Sequence, residues 1–151
     1  MIIETWTKEK YSKNEEEGFA ARLAHEGLRV KAVRLSRLYL VEGDYAAADY
    51  KRIAGDLLLD PVSERCAPAG RRPGTKDGWR VEVWLKDSVT DVVGESVKEA
   101  VAGALGKAPS RVRFGRAYYV SGASEPALRR AVERTLVNAI VNKYSVEKAR
   151  K

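Results

Sequence analysis

The chain has 151 residues, a formal charge of +7 at neutral pH, one histidine and one cysteine. The lone Cys66 excludes an internal disulfide and any multi-cysteine metal site, and no apolar run reaches the ~20 residues that a membrane-spanning helix needs. Because no basic flank and apolar stretch open the sequence, we expect no secretory signal and a cytoplasmic location. The charge is uneven: residues 1–66 carry 11 basic and 12 acidic side chains, whereas residues 79–151 carry 14 and 8.

Three blocks of the first half recur in the second half in the same order, 78 or 79 residues later. The block pairs are 3–8 with 81–86, 37–43 with 116–122, and 52–62 with 130–140. This order predicts an internal duplication. The predicted parts are a first copy over 1–66, a linker over 67–78, a second copy over 79–146 and a basic tail over 147–151. The linker contains two prolines and three glycines, a composition typical of a solvated connection, and we expect the same of its arginine pair.

The second copy opens with a predicted strand and a predicted helix. Apolar and polar residues alternate from Trp79 to Lys86, which is the two-residue period of a half-buried strand. Apolar residues then recur at helical spacing between Asp91, which can cap the helix, and Gly106, which can end it.

The remainder of the second copy predicts a further helix between strands. An extended stretch from Arg111 to Val120 is interrupted by Gly115, so one bent strand and two strands are both open. Pro126 stands where a second helix begins, and residues 139–146 return to a strand. The predicted fold class is therefore α+β. It consists of two tandem, pseudo-symmetric two-layer units of the order strand, helix, strand or strands, helix, strand, packed as a pseudo-twofold pair.

No sequence pattern predicts catalysis by this chain. It has no glycine-rich phosphate loop and no nucleophile elbow. His25 lies near a predicted helix end and Cys66 at the edge of the linker. Neither has a second catalytic residue nearby in sequence, so we interpret both as structural or surface residues.

Two other function classes stay open. Arg111, Arg113 and Arg116 alternate with aromatic residues, which is a feature of single-stranded nucleic-acid-binding modules. The strand departs from the RNA-recognition consensus, so nucleic acid is the less favoured partner. A small-molecule regulatory domain of two-layer α+β type is the other alternative.

Trp6 and Trp84 occupy matching positions on the polar faces of the two predicted first strands. Large rings among charged side chains tend to be covered, and tryptophan is enriched at interfaces. We therefore predict that each tryptophan packs against the other copy or a second chain.

Four segments of the second copy stand in a fixed order: Val83–Lys86, a D-x-x-G turn over Asp91–Gly94, Val112–Arg116 and Leu136–Val141. With this series the second copy resembles the PurS family, the small non-catalytic subunit of phosphoribosylformylglycinamidine synthase, nearly from end to end. The first copy has Lys13 and Glu16 where that turn would stand. Tandem copies also resemble the N-terminal region of longer forms of the synthase.

This resemblance implies a part in purine biosynthesis without catalysis. In the family's system a glutaminase releases ammonia from glutamine, an ATP-dependent synthetase uses it, and the small subunit bridges the two. The implied partners are the synthetase and glutaminase subunits, with a possible homodimer and no membrane. ATP, magnesium and glutamine belong to the partners, and we expect no cofactor or metal on this chain. The implied partner-binding residues are Trp84, Lys86, Asp91, Gly94, Arg113 and Arg116.

Overall fold

The computed structural model describes residues 1–67, 72 and 78–149, so most of the predicted linker and the end of the predicted tail lie outside the described residues. The strands are β1 (Ile2–Thr7), β2 (Ala32–Glu42), β3 (Glu64–Ala67), β4 (Gly78–Leu85), β5 (Arg111–Ser121) and β6 (Asn142–Lys148). The helices are α1 (Lys13–His25), α2 (Ala47–Arg52), α3 (Val92–Leu105) and α4 (Glu125–Thr135). A 3₁₀ turn (Glu9–Tyr11) precedes α1, and a π-helical segment (Ile53–Leu58) extends α2.

All six strands belong to one antiparallel sheet of order β3-β1-β2-β5-β4-β6. This order reads the same from both edges, because β3, β1 and β2 of the first half are mirrored by β6, β4 and β5 of the second. In the central pair Arg37 stands opposite Arg116, and the sequence repeat aligns these same two residues. A pseudo-twofold axis therefore passes between them. The duplication itself stays a prediction with which the strand order agrees.

The helices pack on one face of the sheet, and each core cluster draws on both halves. In the first cluster Phe19 of α1 and Leu128 of α4 pack over Val81 and Val120. In the second, the α2 region and α3 pack over β1, β2 and β5. The α+β, two-layer class is confirmed. The two halves are joined through one sheet and shared cores. In each core a helix of the first half packs beside a helix of the second half.

Local signals in the second half match the structure closely. The Asp91 carboxylate accepts a hydrogen bond from the Gly94 N–H at 2.8 Å and caps α3, and Gly106 ends that helix with a φ of 67°. β5 is one continuous strand through Gly115. A Cβ at Gly115 would lie 2.6 Å from the Trp84 ring, so the glycine makes room for the indole.

The ends of the predicted linker and tail are part of the sheet. Ala67 pairs in β3 and Gly78 in β4, and residues 147 and 148 complete β6. No helix in the described part of the chain is long and apolar enough to cross a bilayer.

Candidate partner-binding surfaces

The D-x-x-G turn joins α3 to β5 through buried contacts. Asp91 is buried, and its second carboxylate oxygen accepts from the Phe114 backbone N–H at 2.6 Å. A Cβ at Gly94 would lie 2.6 Å from the Val112 carbonyl oxygen, so only glycine fits without displacement. In the structure the N-cap Ser12 of α1 corresponds to Asp91, and it receives no capping hydrogen bond. The turn therefore fixes the position of α3 on the sheet, whereas α1, the corresponding helix of the first half, has no such capped turn.

Arg113 closes the loop between β4 and α3. Its guanidinium donates to the carbonyl oxygens of Leu85, Lys86 and Val89 at 3.3, 2.8 and 3.2 Å. Its Nε atom lies 3.8 Å from the Asp91 carboxylate. These bonds hold the loop against β5. The Arg113 side chain therefore fixes the conformation of the loop between β4 and α3. Lys86 is half-buried in that loop.

The two matching tryptophans lie on the sheet face opposite the helices, which we call the open face. Trp84 donates from Nε1 to Glu82 at 3.1 Å and packs against the open-face cluster of Leu38, Ala117 and Tyr119. Leu38 belongs to the first half, so this cluster joins both halves. Trp6 lies in β1, which β2 and β5 separate from β4, and the Arg72 guanidinium stands 5.0 Å from the Trp6 ring centre.

A buried polar cluster on the open face was not predicted. Arg80 donates to Glu4 at 2.8 Å, the Tyr119 hydroxyl donates to the other Glu4 oxygen at 2.6 Å, and Arg80 also donates to Glu82 at 2.9 Å. Glu4 is 1% and Arg80 3% exposed. Burial, with the Glu4 hydrogen bond as the next cause, raises the pKa of Tyr119, so its hydroxyl stays protonated.

Arg72 is docked on the sheet rather than solvated as its linker composition predicts. Its guanidinium donates to the Leu35 carbonyl oxygen at 3.0 Å and stands 5.9 Å from the Tyr119 ring centre, besides its stacking on Trp6. Burial lowers the pKa of Arg72, and an arginine remains charged despite such a shift. The residue thus covers part of the open face. Arg71, the other arginine of the linker pair, lies outside the described residues.

The comparison with known families decides the family of the second half. Residues 79–150 match the PurS family model, described as phosphoribosylformylglycinamidine (FGAM) synthase. The second half of this chain belongs to the PurS family. The match runs from β4 through β6 and places the chain with FGAM synthase in purine biosynthesis. The comparison with curated proteins gave no match.

The PurS unit, residues 79–150, has a turn before β6 that the first half reproduces before β3. We call the turns over 60–63 and 138–141 the paired turns. In each, the first side chain, an aspartate or an asparagine, accepts from the backbone N–H two residues later at 2.9 or 3.0 Å. Each also receives a strand-end bond at its last residue, Lys8 N–H to Ser63 at 2.7 Å and Lys86 N–H to Val141 at 2.8 Å. The two turns therefore have the same backbone design.

Each of the paired turns exposes one aliphatic side chain. Val62 is 69% and Ile140 is 80% exposed. The turns lead into β3 and β6, at opposite edges of the sheet, and they lie at opposite ends because β1 and β4 run antiparallel. Large aliphatic side chains this exposed at matched places are candidates for protein contact.

The PurS unit also exposes apolar residues where α3 begins. Val92 and Val93 are 72% and 43% exposed, whereas α1 begins with the polar pair Lys13 and Asn14. The valines border a depression of about 400 Å³ that Leu136 also lines. The surface where α3 begins is therefore more apolar than the surface where α1 begins.

Tyr118 and Tyr119 of β5 do not form one base-stacking surface. Tyr118 lies on the helix side of the sheet and Tyr119 lies in the open-face cluster, so successive bases of a nucleic acid cannot stack on both rings. His25 is exposed in the last turn of α1. Cys66 lies in β3, and burial raises the pKa of its thiol, which disfavours the reactive thiolate. Within the described ranges no cluster of candidate ligands for a metal ion occurs.

Proposed function

We propose that this chain is a non-catalytic structural subunit of FGAM synthase that bridges the ATP-dependent synthetase and the glutaminase. The PurS match over residues 79–150 carries the proposal, because the family is described as FGAM synthase. ATP, magnesium and glutamine are then bound by the partner subunits. The role of this chain is to hold those subunits in one complex.

The paired turns support the bridging role. They present Val62 and Ile140 at opposite ends and opposite edges of one continuous sheet. A rigid sheet with two similar contact points can bind one subunit at each end and fix the distance between them. Both turns are held by side-chain and strand-end hydrogen bonds, so little conformational entropy is lost when a partner binds.

The end of the sheet that carries Ile140 is the better candidate for the larger contact. Val92 and Val93 add exposed apolar surface in the same half, and that half holds most of the positive charge. Apolar groups at the centre with charged groups around them are typical of protein interfaces. The positive charge favours an acidic partner surface and speeds association.

Substituting the exposed aliphatic residue of a turn is expected to weaken one contact selectively. Ile140→Asp places a charge at an apolar contact and is expected to weaken binding of one catalytic subunit by about 10-fold or more, a hot-spot-sized effect. Val62→Asp is expected to weaken binding of the other. Biolayer interferometry of the full chain against each purified subunit, with ATP and glutamine present, measures both affinities.

Ala100→Asp is the matched control, since it adds the same charge at an exposed position of α3 away from both turns. It is expected to leave both affinities unchanged. The two turn variants are expected to keep the melting temperature of the unchanged chain, and Ala100→Asp is expected to lower it by a few degrees at most, because aspartate has a lower helix propensity than alanine. If Ile140→Asp and Val62→Asp bind both subunits as tightly as the unchanged chain, the paired turns are not the contacts. If the unchanged chain binds neither subunit, the bridging role is wrong.

A further inference from the structure

Two arginines face each other at the centre of the sheet, on the side covered by helices. Arg37 and Arg116 are directly opposite on β2 and β5, and like charges at opposed positions destabilise a sheet. Arg37 is paired with Glu64. Arg116 is exposed, and its guanidinium lies over the Phe114 ring with no acidic partner in the described part of the chain. Such a local conflict with folding rules is expected at functional sites.

A cavity of about 400 Å³ lies over this arginine pair, between the sheet and α1. Its charged lining consists of Glu15, Arg22, Arg37 and Arg116. The lining holds three arginines and one glutamate, and Glu64 neutralises Arg37 from beside the cavity, so the cavity keeps a net positive charge. Its volume lies within the range of about 300–1,000 Å³ that small-molecule sites occupy.

The cavity combines this charge with an apolar wall. Phe19 and Tyr118 line it, and their rings stack with centroids 4.7 Å apart. Arg22 is anchored, since it donates to the Thr135 carbonyl oxygen at 2.7 Å, and a guanidinium has further N–H groups to offer. Arginine matches phosphate by its planar, forked set of donors.

We infer that this cavity binds an organic phosphate, with its phosphate group held by Arg22, Arg37 and Arg116 and its organic part against Phe19 and Tyr118. The phosphate gives Arg116 an anionic partner, as Glu64 already does for Arg37. Because Arg22 comes from α1 while the other two come from the central strands of both halves, the ligand crosslinks three elements at the pseudo-twofold axis. Binding is thus expected to stabilise the joined sheet.

Adenosine monophosphate is a suitable probe because it joins a phosphate monoester to a planar aromatic base that can pack against an aromatic wall, and adenosine is its neutral control. Isothermal titration of the full chain at low salt is expected to show binding of adenosine monophosphate and none of adenosine. Inorganic phosphate is expected to compete. Arg116→Gln removes a guanidinium that has no hydrogen-bonded or ionic partner among the described residues, so folding is expected to persist while affinity falls by about 10-fold or more.

Arg130→Gln is the matched control, since it removes the same charge from an exposed position of α4 that does not line the cavity. It is expected to retain the affinity of the unchanged chain. The inference is overturned if adenosine monophosphate does not bind at millimolar concentration, if adenosine binds equally well, or if Arg116→Gln and Arg130→Gln have the same effect. These titrations use this chain alone, so their outcome is independent of whether it bridges catalytic subunits.

Discussion

Replacing Glu4 with alanine is expected to lower the free energy of unfolding by about 3 kcal/mol or more, since removing one partner of a buried ion pair leaves a buried charge without compensation. Glu4 accepts from Arg80 at 2.8 Å and from the Tyr119 hydroxyl at 2.6 Å. Both donors belong to the second half, so the substitution also breaks a connection between the halves. Urea unfolding followed by circular dichroism measures the change.

Two variants make this result specific. Glu99→Ala removes an exposed carboxylate from α3 and is expected to leave the unfolding midpoint unchanged. Glu4→Gln keeps the side-chain shape and an acceptor for Tyr119 but loses the charge opposite Arg80, so its stability is expected to fall between that of Glu4→Ala and the unchanged chain. Equal unfolding midpoints for Glu4→Ala and Glu99→Ala would show that the cluster does not stabilise the fold.

Replacing Gly94 with alanine is expected to destabilise the chain by about 2 kcal/mol, within the range for overpacking. The added Cβ would lie 2.6 Å from the Val112 carbonyl oxygen, which belongs to the backbone of a central strand and cannot move without disturbing the sheet. It would also lie 2.9 Å from the Asp91 carboxyl group that caps α3. Thermal and urea unfolding measure the loss.

The same helix supplies the control. Gly103 lies in α3 with no atom within 4 Å of an added Cβ, so Gly103→Ala is expected to raise stability by up to about 1 kcal/mol through helix propensity. If Gly94→Ala has the stability of the unchanged chain but loses partner binding, Gly94 contacts a partner directly. If the free energy of unfolding of Gly94→Ala is lower than that of the unchanged chain, Gly94 is a packing residue. The close approach to Val112 predicts this second result.

The elements of the second half were predictable because their signals are local. The capping carboxylate of Asp91, the terminal glycine of α3 and the alternation from Trp79 to Lys86 each depend on neighbours within a few residues. The pairing of β2 with β5 was not predictable in this way. It joins residues about 80 apart in sequence, and periodicity fixes which face of a strand is buried but not which strand lies beside it.

The candidate site was predicted only in part, for a related reason. Glu4 and Arg80 occupy polar positions of alternating strands, so their pattern predicts exposure, whereas the structure pairs them across the two halves. Asp91, Gly94 and Arg113 were expected at a partner interface because of the family resemblance. Their side-chain contacts show that they order the loop and α3, and their contact with a partner stays a prediction.

The sequence gives only weak grounds for predicting that the aliphatic residues of the paired turns are exposed. The repeat aligns Val62 with Ile140, but an aliphatic residue at matched positions is more often part of the core. Only the fold shows that both residues stand outside it. The same holds for Arg37 and Arg116, whose alignment became informative once the sheet placed them opposite each other.

Reconstitution of glutamine-dependent FGAM synthase activity tests the central claim most directly. Purified synthetase and glutaminase subunits are assayed with ATP, magnesium, glutamine and formylglycinamide ribonucleotide, with and without this chain. The account predicts that the chain alone has no activity and that its addition raises the glutamine-dependent rate by about 10-fold or more, as expected when partners are held in productive geometry. An unchanged glutamine-dependent rate on addition of the folded chain would contradict the proposed role.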